Sequence, residues 1–205
     1  MENEFDVVVV GAGISGIGAG AHFNLKCPDQ TYVILEGRES FGGTWDLFKY
    51  PGIRSDSDMH TLGYSFKPWV HKKSIANAPA IMEYLEETID EYELHPHIRY
   101  NHHVETANWS PKEGKWIVSV TDKVNNKEII FKGKLLYMCS GYYKYAHGYE
   151  PKFEGSENFE GQIVHPQKWS DDVEYENKEV VVIGSGATAA TLVPELAKKT
   201  KHTTM

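Results

Sequence analysis

The chain has 205 residues, 40% hydrophobic and 24% charged, a composition that fits one ordinary soluble domain and part of a second and excludes disordered and fibrous classes. With 29 acidic against 21 basic side chains the net charge is -8, and no run of five Lys or Arg interrupts it, so a nucleic-acid partner is not expected. The acidic start, Met1-Glu2-Asn3-Glu4, and the short apolar run Val7–Val10 do not make a signal peptide, and no stretch approaches the roughly 18 apolar residues of a membrane span. Cys27 and Cys139 are too few and too far apart for a disulfide framework, a zinc site or a CxxC pair, so both are expected as inert core thiols in a reducing cytoplasm.

Taken in chain order, Asp6–Val10 is a β-branched run suited to a strand buried on both faces, and Gly11 follows it directly. Residues 14 to 26 alternate small residues with Ile17, Phe23 and Leu25, which predicts a helix lying close to a sheet and ended by Pro28. Tyr32–Leu35 is the second buried strand, completing a right-handed βαβ unit. Residues 37 to 78 are rich in Gly, Pro and aromatics, as ligand-wrapping loops are. An amphipathic helix is expected from Pro79 to Leu94, with Ile81, Leu85, Ile89 and Tyr92 on one face and an acidic, solvated opposite face.

Three strands, about 99–109, 115–121 and 128–131, predict an antiparallel meander, followed by a separate parallel strand, Leu135–Cys139. The polar stretch 142–178 is expected to connect domains, and Glu179–Ile183 to open a second βαβ pattern. The fold class is therefore α/β. A Rossmann-like, doubly wound domain over 1–141 carries a meander inserted at about 99–132, and a second Rossmann-like domain begins over 179–205 with its first strand and helix.

Gly11-Ala12-Gly13-Ile14-Ser15-Gly16 fits GxGxxG between a strand and a helix, where Gly11 permits the turn, Gly13 lets a pyrophosphate approach and Gly16 allows close packing. Glu36 stands 20 residues after Gly16, where a carboxylate can accept both ribose hydroxyls of an adenosine. Gly184-Ser185-Gly186-Ala187-Thr188-Ala189 repeats the pattern as GxGxxA. Two dinucleotide turns in one chain point to electron traffic between a nicotinamide and a flavin. The lack of a CxxC pair disfavours a disulfide reductase, and the histidines at 95, 97, 102 and 103 complete no metal site.

Phe159, Gly161, His165 and Trp169 fit FxGxxxHxxxW between the two glycine turns. This arrangement resembles the fingerprint of the class B flavoprotein monooxygenases, and Trp169 matches the Baeyer-Villiger subclass, although Ser170 stands where the pattern usually continues with Pro or Asp. Gly42–Leu47 and Tyr50–Met59 are similar to the ethionamide-activating branch of that family. The resemblance, which covers essentially the whole chain, implies an FAD- and NADPH-dependent enzyme. By that resemblance NADPH would reduce FAD, O2 would add to give a flavin C4a-peroxide, and one oxygen atom would enter a ketone, giving an ester or lactone, or a sulfide.

The resemblance also implies that Gly11, Gly13, Ser15, Gly16, Glu36, Gly43, Thr44, Trp45, Asp46, Leu47, Asp56 and Val104 contact FAD. Arg54, Ser55 and Asp56 would approach the nicotinamide, and Gly184, Ser185, Gly186, Ala187, Thr188 and Ala189 the NADP pyrophosphate. Asp56 would orient a catalytic arginine that has no counterpart in these residues. Trp45 reads either as a face for the flavin or as an aromatic core plug, and His165 either as a linker hydrogen bond sensing the cofactor or as a capped loop histidine. A flavin-containing N- or S-monooxygenase is the alternative within enzymes. For the 205 residues alone, FAD binding that is weak at most, without turnover, is the alternative outside them.

Overall fold

The computed structural model describes residues 3–205. They form two compact units, the first running to Asp46 and including Ile81–Tyr142, the second made of Leu47–Ala80 and Tyr143–Met205. In chain order the elements are β1 (Glu4–Val10), α1 (Ile14–Lys26), β2 (Tyr32–Leu35), the single-turn helices α2 (Thr44–Leu47) and α3 (Met59–Leu62), and α4 (Ala78–Glu91). Then come β3 (Ile98–Arg99), β4 (His102–Ser110), β5 (Lys115–Asp122), β6 (Lys127–Met138), β7 (Glu179–Val181), α5 (Ala187–Leu196) and β8 (His202–Thr204). The protein is α/β, with a mainly parallel sheet at the centre of the first unit and a βαβ unit in the second.

The first sheet has the order β3-β2-β1-β6-β5-β4. β1 is parallel to both of its neighbours, which explains why Val7, Val8 and Val9 are all buried rather than alternating. Val8, Val33 and Leu35 join Val118, Val120 and Phe131 in one apolar cluster, so the antiparallel strands share a core with the parallel ones. From α4, the stripe expected on one face is buried at Ile81, Leu85 and Ile89, with Tyr84 added to it, while Tyr92 lies beyond the helix end.

The expected strand over 99–109 is two strands. Asn101 adopts a left-handed conformation (φ 59°) and its N–H donates to the Arg38 carbonyl, so β3 stays with the parallel side and β4 starts the meander. The strands expected at 128–131 and 135–139 are one. β6 is antiparallel to β5 as far as Gly133 and parallel to β1 from Lys132 onward, changing partner without a turn. A Cβ at Gly133 would lie 2.8 Å from a Val8 methyl, so this crossing point needs a glycine. Cys27 is exposed rather than in the core, because it caps the end of α1 where the chain turns outward. Cys139 is half-buried, and desolvation pushes its thiol up to about 11.

Asp6 ties three strands together. Its carboxylate accepts from the Thr31 N–H (2.9 Å) and hydroxyl (2.8 Å) just before β2, and from the Lys134 ammonium (2.7 Å) in β6. The Lys134 hydrogen bond first, then those of Thr31, hold its pKa well below the usual carboxylate range. A lowered folded-state pKa gives stability that is present above the unfolded value near 4 and lost as pH falls below it. Asp6→Asn is therefore expected to narrow the gap between the urea midpoints at pH 7 and pH 3. An unchanged gap would contradict the clamp.

In the second unit, β7 and β8 pair in parallel around α5, with Glu179 opposite His202 and Val181 opposite Thr204. β8 is additional to the strand and helix expected there. Residues 142–178 carry 3-10 turns at Ser156–Asn158 and Pro166–Lys168. No helix among the described residues is long and apolar enough to cross a membrane.

Candidate functional site

β1 delivers its chain end straight into the first glycine turn. Gly11 sits at φ 103°, its N–H donates to the Leu35 carbonyl, and a Cβ there would be 2.5 Å from the Cys139 carbonyl oxygen. At Gly16 a Cβ would be 1.8 Å from the Gly11 carbonyl oxygen, so what the third glycine permits is closure of the turn on itself. Gly13 is different: its φ is -79°, and a Cβ would meet only the Gly43 Cα, at 3.8 Å. Gly13 caps α1 without a side chain, leaving the helix N-terminus lined by backbone alone, and Ser15 is exposed in the first turn. Positive peptide dipoles and a backbone-only surface suit a pyrophosphate.

Glu36 follows β2 and is buried, 8% exposed. One carboxylate oxygen accepts from the Ala12 N–H (2.8 Å) inside the turn and the other from the Arg38 N–H (2.9 Å). A carboxylate offers about four acceptor positions, so two remain for a diol. The Ala12 carbonyl accepts from Gly42 N–H (2.9 Å), which brings the second glycine segment alongside the first.

Sequence reasoning missed Arg38 and Ser40. Arg38 donates to the Asp46 carboxylate (2.5 Å) and to the Gly43 carbonyl (3.4 Å), while Ser40 donates to the same Asp46 oxygen (2.5 Å). Asp46 thus braces the Gly43–Leu47 segment from within. The signal was the charge pair eight residues apart across Gly42-Gly43, which reads equally well as solvated surface. Thr44, Trp45 and Leu47 are half-buried. Val104 is half-buried in β4 next to a register shift.

The second unit holds Asp56, exposed with Arg54, while Ser55 is buried, 2% exposed. Ser55 donates from its hydroxyl to the Ser57 carbonyl (2.6 Å) and from its N–H to the Ala76 carbonyl (2.9 Å). The same unit holds Gly184–Ala189, where Gly186 caps α5 without a side chain, as Gly13 caps α1. A Cβ at Gly184 or Gly186 would meet nothing within 4 Å, so the space before α5 is open to an anionic group.

Phe159 folds its ring onto Gly161, where a Cβ would lie 2.5 Å from the ring. His165 Nδ1 accepts from the Gln167 N–H (3.2 Å), capping the short turn that Trp169 ends, so the cap reading describes its contact. Trp169 meets Tyr175 edge-on at 5.6 Å, and both line a surface groove of about 500 Å³ with Lys49 and Lys178. Among the described residues no three His, Cys, Asp or Glu gather as a metal would require.

Residues 55–205 match the model of the flavin-binding monooxygenase-like family. The chain is 53% identical over its full length to the FAD-containing monooxygenase EthA of Mycolicibacterium smegmatis, and covers 42% of that protein. It is 50% identical, over 97% of its length, to a probable FAD-binding monooxygenase AlmA of an Acinetobacter species, covering 40% of it. The chain thus spans about two fifths of the length of the curated relatives it matches. Among solved structures, an oxidized steroid monooxygenase bound to NADP aligns at TM-score 0.81 and 30% identity, over 98% of this chain and 38% of that one. An ε-caprolactone-bound cyclohexanone monooxygenase aligns at TM-score 0.81 and 27% identity, over 98% and 39%.

Proposed function

The chain belongs to the flavin-binding monooxygenase-like family, and from that premise we propose that it serves an FAD- and NADPH-dependent oxygenation in which one atom of O2 enters a ketone or a sulfide. The observation that carries the flavin half is the buried Glu36 carboxylate bonded into the Gly11–Gly16 turn, with acceptor positions to spare for a ribose. Bound FAD supplies the redox chemistry, taking hydride from NADPH and activating O2.

The chain's own residues bind and orient. Gly11, Gly13, Ser15 and Gly16 receive the FAD pyrophosphate at the α1 N-terminus, and Glu36 accepts from the adenosine ribose. The Gly43–Leu47 segment, braced by Arg38 and Ser40 through Asp46, would contact FAD with Trp45 offering a flat face to the ring, and Val104 would contact FAD as well. Arg54, Ser55 and Asp56 serve the nicotinamide, with Asp56 orienting a catalytic arginine, and Gly184–Ala189 receive the NADP pyrophosphate. On this reading 1–141 is the FAD-binding domain, 142–178 connects, and 179–205 begins the NADPH-binding domain of a cytoplasmic enzyme. Trp169 favours ketones as substrates over soft N or S atoms.

The test is oxygen uptake with FAD and NADPH, in the presence of cyclohexanone or a thioether. The 205 residues are expected to retain FAD, weakly at most, without turnover. A chimera extended after Met205 with the remaining residues of the EthA relative is expected to show ketone-stimulated uptake. Uptake stimulated by the thioether alone would favour heteroatom oxygenation, and a chimera that retains FAD but consumes no oxygen would contradict the proposal.

A further inference from the structure

Gly42 and Gly43 are consecutive left-handed residues (φ 99° and 54°), so the chain that leads from Glu36 to Trp45 passes through a joint with little conformational preference of its own. Contacts with its surroundings must fix it. On the entry side the Gly42 N–H donates to the Ala12 carbonyl (2.9 Å), and a Cβ at Gly42 would lie 2.3 Å from the Met82 sulfur in α4. On the exit side the Arg38 guanidinium reaches both the Gly43 carbonyl (3.4 Å) and the Asp46 carboxylate (2.5 Å), and the Ser40 hydroxyl donates to the same carboxylate oxygen (2.5 Å).

Arg38 is pinned along its main chain as well. Its N–H donates to Glu36 (2.9 Å), and its carbonyl accepts from the Asn101 N–H (2.8 Å) where β4 begins. One residue therefore touches the buried acid through its backbone and the Gly43–Asp46 segment through its side chain. A guanidinium suits this place, because its donors form a rigid fork that serves a carbonyl and a carboxylate together, where an ammonium is a single point charge. The Arg38 and Asp46 side chains are only 27% and 21% exposed, so the pair is not an ordinary surface one, and truncating either partner leaves a partly desolvated charge behind.

We propose that Arg38 is a positioning residue: with Asp46 it fixes the Gly43–Asp46 segment at a set spacing from Glu36, and so supplies the preference of the first unit for FAD over ADP. The proposal rests on the reading of the Gly11–Gly16 turn and Glu36 as the FAD site. It adds that the flavin half of the dinucleotide contributes affinity only while the Arg38–Asp46 pair holds the glycine joint in place. The Asp46 carboxylate then acts through Arg38 and Ser40 rather than on the cofactor itself.

The test is equilibrium dialysis of the 205-residue chain against FAD and, separately, against ADP, with a urea midpoint recorded for every variant. The wild type is expected to bind FAD at least about tenfold more tightly than ADP. Arg38→Met keeps the aliphatic stem and the backbone N–H to Glu36; it should lose most of that excess while ADP affinity changes less than about threefold. Asp46→Asn, which keeps the side-chain shape, should act in the same direction, and the double variant should lose little more than either single one. A merely structural role would weaken FAD and ADP together, and that result would overturn the proposal, as would an unchanged FAD-to-ADP ratio in both single variants. Equal affinity of the wild type for FAD and ADP would overturn it while leaving the adenosine site intact. Loss of the fold in both single variants would also overturn it, since the pair would then hold the unit together rather than position the segment. Binding of neither ligand by the wild type would overturn the FAD reading and this inference with it.

Discussion

Gly16→Ala is expected to destabilise the first unit by at least about 3 kcal/mol, whereas Gly13→Ala, three residues earlier in the same motif, is expected to fold normally and lose FAD. Helix propensity alone argues the other way for Gly16, since Ala in a helix is favoured over Gly by about 1 kcal/mol. The geometry overrides it: the added methyl would stand 1.8 Å from the Gly11 carbonyl oxygen, and that oxygen belongs to backbone fixed at φ 103° against Cys139. Relief therefore requires the turn, the end of β1 or the start of α1 to move. At Gly13 the methyl would find an ordinary contact, 3.8 Å from Gly43 Cα, with φ at -79°, a value any residue accepts. What it would occupy is the surface proposed to receive the pyrophosphate. Urea denaturation and equilibrium dialysis against FAD separate the two effects. Equal behaviour of the two variants in both assays would contradict the division of labour.

Glu36→Ala is expected to lower both stability and FAD retention, and Glu36→Gln to lower retention more than stability. Ala12 is fully buried, and its N–H donates to a Glu36 oxygen at 2.8 Å. Removing that acceptor leaves a buried donor unsatisfied, at a cost of about 1–3 kcal/mol. Gln keeps one oxygen for Ala12 but replaces the other with a donor, which opposes the Arg38 N–H and offers a ribose diol one acceptor fewer. A loss of roughly tenfold in FAD affinity, about 1.4 kcal/mol, is the expected size for Gln. Unchanged FAD affinity in both variants, measured by equilibrium dialysis, would remove the ribose assignment.

Glu36 and the Gly11–Gly16 turn also mark how far the sequence could be read. The β-branched run of β1, the helix over Ile14–Lys26 and the strand Tyr32–Leu35 were legible because local periodicity and tertiary demand agree in them. Glu36 was legible as an acid at the right distance, yet its bond into the turn depends on where β2 lies beside β1, which no local pattern records. The split at Asn101 depends on the Arg38 carbonyl, far upstream. The partner change along β6 depends on β1 passing Gly133. β8 escaped because His202–Thr204 is short and polar, and only pairing with β7 makes it a strand. The Arg38–Asp46 brace was hidden for the same reason: polar side chains announce chemistry but not their partners.

The central claim is that the first unit holds FAD by its adenosine-diphosphate half, at the Gly11–Gly16 turn and Glu36. Equilibrium dialysis of the 205-residue chain against FAD and FMN, with ADP as competitor, tests it most directly. The account predicts that FAD is retained, that ADP displaces it, and that FMN at the same concentration is not retained. Retention of FMN as well as FAD, undisturbed by ADP, would contradict it.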